Sequence, residues 1–202
     1  MTRLELWQRG LLDLIKGRGV APKDSYLVRV AESREIAIMR EIALWWRAFD
    51  LEAHCGFSAR LLKRLGRFHV LVAKYFNSNA TSPFAEELSL DFLTWLQGDD
   101  DPLVRTVSFF ERAVLLARAG ASGVFEVCWD RNPDLVFYAL EEGNEIPGKE
   151  PGYVYRMAIA SDLPHFVTCT READPCDRNS VCCDGRVGRY VARRRFVPLS
   201  EF

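Results

Sequence analysis

The sequence predicts an α+β protein, with a helical N-terminal region over residues 1–120 and a small antiparallel β region over residues 121–202. Two observations carry that expectation. Before Gly120 the apolar residues recur at three- and four-residue steps, the period of one helix face. After it, short alternating runs are separated by turn formers. Composition adds a third: 49% of the 202 residues are hydrophobic, including 5 Trp and 13 Phe, enough for a real core and too many for a disordered or fibrous chain.

About five helices are expected. The first covers Leu4 to Lys16, with Gly17 and Gly19 ending it. The second is the most regular: from Asp24 onward Leu27, Val30, Ile38, Ile42, Trp45 and Phe49 form one apolar stripe, interrupted only by Arg34, on a helix running to about Phe49. Ser58 has the chemistry of an N-cap for a third helix, whose core face is Leu61, Leu65, Phe68, Val72 and Phe76. Asn77 to Ser82 is a polar break, and Leu88 to Gln97 a short helix with Phe92, Leu93 and Leu96 inward. Asp101 followed by Pro102 starts the fifth, because proline in the first helical position loses no needed hydrogen bond; Gly120 stops it.

In the second half, Val124 to Trp129 and Leu135 to Leu140 read as two strands flanking a loop of Asp130, Arg131, Asn132, Pro133 and Asp134, a hairpin. Tyr153 to Ile159 alternates as a third strand. His165 to Thr170, entered through Pro164, and Val187 to Phe196 are weaker ones.

Charge narrows the function classes. The formal net charge of -1 argues against a general polyanion binder, although Arg186, Arg189, Arg193, Arg194 and Arg195 make the C-terminal segment basic and keep a winged-helix-like DNA-binding regulator as the alternative reading. No window approaches the roughly 18 apolar residues of a membrane span, and the opening segment lacks a signal-peptide core, so a cytoplasmic protein is expected. Cys55 and Cys128 stand alone, as buried small hydrophobes do. Cys169, Cys176, Cys182 and Cys183 cluster, but without the paired spacing of a zinc site, and no metal is assigned.

Catalytic chemistry is sparse. There is no phosphate loop, no G-x-S-x-G elbow and no H-E-x-x-H. His54 beside Cys55 would need a spatial triad that adjacency in sequence does not supply. His69 lies beside an apolar stripe, as a core or boundary histidine does. The acidic run at Asp99, Asp100 and Asp101 lacks the alternating ligands of a calcium loop, and helix capping accounts for Asp101. The positive feature is the sheet: an unpaired edge at Leu135, Val136, Phe137 and Tyr138 could accept an extended peptide by main-chain pairing, with Glu141, Glu142 and Glu145 favouring a basic one. Protection of that edge by other parts of the fold is the competing reading.

The stretch LLKRLGRFHVLVAKYFNSNATSPFAEELSLDFLTWLQ, followed by VRTVSFFERAVLLARAG, resembles a known family over roughly residues 57–120. The residues that carry the likeness are Phe68, Ala73, Phe76, Pro83, Phe92, Leu93, Phe109, Glu111 and Ala113. The family is that of the MbnC-type partner proteins of iron-dependent peptide-modifying oxidases in methanobactin biosynthesis; the β half matches more loosely. The resemblance implies a chain with no chemistry or cofactor of its own, paired with a TIM-barrel oxidase subunit of the MbnB type that carries the iron. It also implies a ribosomally made precursor peptide of the MbnA type, whose leader this chain holds while the oxidase converts core cysteines to oxazolone and thioamide groups. The helical half would dock the oxidase. Trp45 and Phe49, on the stripe, are expected in the core, which leaves Trp46 as the partner-interface candidate.

Overall fold

The structure is a computed structural model and describes residues 2–17, 24–79, 81–163 and 165–173, with the backbone of 188–191. The fold is α+β. Seven helices come first: α1 (Arg3–Ile15), α2 (Ser25–Ala31), α3 (Arg34–His54), α4 (Gly56–Arg64), α5 (Phe68–Ser78), α6 (Ala85–Leu96) and α7 (Pro102–Arg118). Then follow β1 (Val124–Trp129), α8 (Pro133–Glu142), β2 (Tyr153–Ile159), β3 (Val167–Ala173) and β4 (Gly188–Val191). The strands form one sheet in the order β3-β2-β1-β4, antiparallel throughout.

Two expected helices are each divided. Ser33 caps a new helix by accepting from the Ile36 amide, so the segment from Asp24 becomes α2 and α3. Gly66, at φ +65°, closes α4 in the left-handed conformation that favours glycine, and the Arg67 amide bonds back to the Leu62 carbonyl at 2.8 Å. The expected cap at Ser58 is also displaced, because Ser58 lies inside α4 and is buried. Leu65 and His69, expected on or beside the core face, are exposed. The start of α7 is as read: the Asp101 carboxylate accepts from the Leu103 amide at 2.8 Å, with Pro102 at the first helical position.

The largest correction is at Leu135, Val136, Phe137 and Tyr138. They are not a strand but part of α8, so they offer no sheet edge, and Glu141 and Glu142 are the last turn of that helix. Asn132 caps α8 by accepting from the Asp134 amide at 3.0 Å, Pro133 fills the first position, and Gly143 ends it at φ +76°. The Arg64 guanidinium then closes the helix end, donating to the carbonyls of Ala139 at 3.0 Å and Gly143 at 2.8 Å.

One apolar core runs through both halves of the chain. It takes Leu51, Leu62, Phe68 and Val72 from α3 to α5, Phe92, Leu93, Val104 and Val107 from α6 and α7, and one face of the sheet. That sheet face is Phe125, Val127 and Trp129 of β1 with Tyr155, Met157 and Ile159 of β2. Phe137 lies between the layers, its ring 4.7 Å from Phe57, 4.6 Å from Phe110 and 5.3 Å from Trp129. A second, smaller cluster of Leu14, Leu27 and Ile36 joins α1, α2 and the start of α3. There Gly10 lets α1 come close, since a Cβ at that position would stand 2.5 Å from Leu27 Cδ1.

Candidate functional site: a sheet edge and an aromatic helix face

β3 is the exposed border of the sheet. Seven registered pairs, from Tyr153 with Ala173 to Ile159 with Val167, tie its inner side to β2, and among the described residues no strand pairs with its outer side. From Thr168 to Ala173 the strand is exposed on both faces, because the helical layer stops at β2. In an antiparallel ladder, alternate residues turn their main-chain donors and acceptors away from the partner strand, so this border presents hydrogen-bonding groups that no strand among the described residues uses.

Side chains hold the border in shape. Arg171 stacks on the Tyr153 ring, 3.7 Å from its centroid, and pairs with Glu150, which also accepts from the Tyr155 hydroxyl. On the other face Arg156 donates to Glu172 at 2.8 Å. Cys169 is an exposed residue of this strand, opposite Met157 in the register; partial burial first, and the Asp134 carboxylate second, push its thiol above the ordinary range. Cys176, Cys182, Cys183, Pro164, Arg186 and Arg193 to Arg195 lie outside the described residues. Among the described residues no group of three or more His, Cys, Asp or Glu side chains could hold a metal ion.

His54 and Cys55 do not form a pair. Cys55 is wholly buried with Sγ 3.9 Å from the Ser89 carbonyl, and burial raises its pKa. His54 is exposed, and its Nδ1 lies 2.9 Å from the Asp50 carbonyl of its own helix. Asp99 and Asp101 are structural. Asp99 takes a two-pronged bond from Arg67, at 3.1 and 2.7 Å, and accepts from the Asp101 amide at 3.0 Å.

The buried carboxylate that sequence reasoning passed over as a functional group is Glu111 on α7. It reaches the uncapped start of α4, accepting from the amides of Phe57 at 2.8 Å and Ser58 at 2.9 Å. Burial raises its pKa, opposed by those hydrogen bonds. No local signal marks it, since 53 residues separate it from Ser58.

The second surface is on α3, and it overturns an expectation. Trp45 and Phe49 are not in the core: they are 60% and 53% exposed, beside Trp46 at 55%. The three rings form one cluster, with Trp45 edge-on to Trp46 at 5.0 Å, stacked on Phe49 at 5.9 Å, and Trp46 edge-on to Phe49 at 6.1 Å. Ile38, Met39 and Ile42 continue the exposed face toward the N-terminus of the helix. The inward face of α3 is instead Ile36, Ala48 and Leu51, while Arg40 and Arg47 turn in to donate to the carbonyls of Leu14, and of Ser82 and Pro83.

No described helix is long and apolar enough to cross a membrane. No family model, curated protein or solved structure matches the chain.

Proposed function

We propose that this chain is a cytoplasmic, non-catalytic subunit that holds the leader of a ribosomally made precursor peptide for a TIM-barrel, iron-dependent oxidase, as the resemblance over residues 57–120 implies. The observation that carries the reading is the outer border of β3, which pairs with no other strand among the described residues and has the main-chain chemistry needed to pair with an extended guest. The peptide site therefore moves from Leu135 to Tyr138, where the sequence placed it, to Val167–Ala173. Leu135 and Tyr138 keep a place in the reading as exposed residues of α8. The aromatic face around Trp46 supports a second partner, since rings held in water are unfavourable unless something covers them.

Held in this way, the leader would raise the effective concentration of the core cysteines at the oxidase, and the iron would belong to that subunit. The test uses the leader of an MbnA-type precursor peptide. Thr168→Pro and Cys169→Pro each delete one adjacent amide. In an antiparallel ladder one of the two faces β2 and the other faces outward. The variant that keeps the wild-type melting temperature should lose leader binding, measured by fluorescence anisotropy. Undiminished binding by that variant would remove β3 as the site. Failure of the chain to co-purify with a co-expressed MbnB-type oxidase would remove the assembly.

A further inference from the structure

We propose that the exposed face of α3 docks a different protein, one that presents an apolar cluster bordered by Lys and Arg. This deepens, and rests on, the reading that the helical half meets a partner.

The area argues for a real interface. Ile38, Met39, Ile42, Trp45, Trp46 and Phe49 are each 45–60% exposed. Together they leave roughly 700 Å² of mostly apolar surface in water, above the ~300–600 Å² of a typical monomer's largest patch and near the ~800 Å² each partner contributes to a standard interface. Two tryptophans at its centre are the side chains that most often carry binding energy.

Charge names the partner. At about 100° per residue, Glu35, Glu41 and Asp50 fall within or beside this face, and Glu41 forms a shallow notch with Ile42, Trp45 and Trp46. Of the three arginines of α3, Arg40 and Arg47 are spent on inward carbonyls, and only Arg34, in the first turn, is on the exposed side. The border is thus acidic, and the complementary rim is basic.

Glu52, which follows Trp45 on the same flank, is already paired with Lys63 and leaves that acidic character to Glu35, Glu41 and Asp50. An anionic lipid surface would be repelled by the same charges.

Two synthetic 18-residue amphipathic helices with the same leucine face, one flanked by Lys and one by Glu, test this on the full-length chain. The Lys-flanked peptide should bind at least about tenfold more tightly, and Glu41→Lys should shrink or reverse the ratio. Trp45→Ala and Trp46→Ala should each weaken binding by about tenfold or more with unchanged circular dichroism. Equal binding of both peptides, or no binding of either, would overturn the proposal. So would concentration-dependent dimerisation abolished by Trp46→Glu, or binding to phosphatidylglycerol vesicles. A failed leader titration with an intact Lys-peptide preference would sink the β3 site alone; the reverse would sink this one alone.

Discussion

Replacing Glu111 tests how α4 is started. The helix has no side-chain cap of its own, so its first amides depend on a carboxylate supplied by α7. Glu111→Ala removes both acceptors and leaves two donors in a site that is 7% exposed. At ~1–3 kcal/mol for each buried unpaired donor, the expected loss is about 3 kcal/mol. In a domain of this size that is roughly 6–12 °C of melting temperature. Glu111→Gln keeps one acceptor and should lose about half as much.

The pH dependence gives a sharper check. Burial, the largest influence, holds the folded-state pKa of Glu111 above its unfolded value. A raised pKa means that its contribution is fully present below the ordinary carboxylate range and is lost as pH rises through the folded value. The stability difference between wild type and Glu111→Gln should therefore be largest at acid pH and shrink as pH rises. Urea unfolding followed at 222 nm across pH 4–8 measures it. A difference that grows with pH would show the two amides and the helix N-terminus outweighing burial, and would refute the reasoning.

Other perturbations address α8 and the turn before α7. Phe137→Ala should cost about 3 kcal/mol by emptying the space between Phe57, Phe110 and Trp129, whereas Tyr138→Ala, at an exposed position, should stay within about 0.5 kcal/mol; chemical denaturation compares them, and equal losses would contradict the helix. Asp99→Ala should lose about 2 kcal/mol through the Arg67 pair and the Asp101 amide together. A double-mutant cycle with Arg67→Ala isolates the pair, and strict additivity would show that it contributes nothing.

Much of the fold was legible because its punctuation is chemical. Asp101 and Pro102 mark the start of α7, and alternation marks β1 and β2, as the structure bears out. The miss at residues 135–140 came from the same grammar read inconsistently. Asn132 and Pro133 form a helix start of the same kind, but a six-residue apolar run is too short for periodicity to separate strand from helix, and Val136, Ala139 and Leu140 fit the i, i+3, i+4 pattern only once the cap is accepted. On α3 the period was read correctly and the side was inverted. Amphipathicity finds two faces, and which one meets the core depends on partners far away in sequence. Here the inward face carries Arg40 and Arg47, satisfied by carbonyls, so the richer stripe was left outside. The candidate site was legible as a principle, an open sheet border, but not as a place. Its strand, Val167–Ala173, overlaps the weak strand expected over His165 to Thr170, but from Thr168 onward it is exposed on both faces and lacks the alternation that would have marked it as a site.

The small cluster of Leu14, Leu27 and Ile36 has a consequence for how the molecule breathes. Three buried side chains anchor the first two helices, whereas the main core holds the rest of the chain together. The two helices should therefore detach as a unit well before global unfolding, exchanging their amide hydrogens early and admitting proteases there first. The start of α3 would then expose Ile36, giving the helix a second apolar surface on a different side from its aromatic cluster.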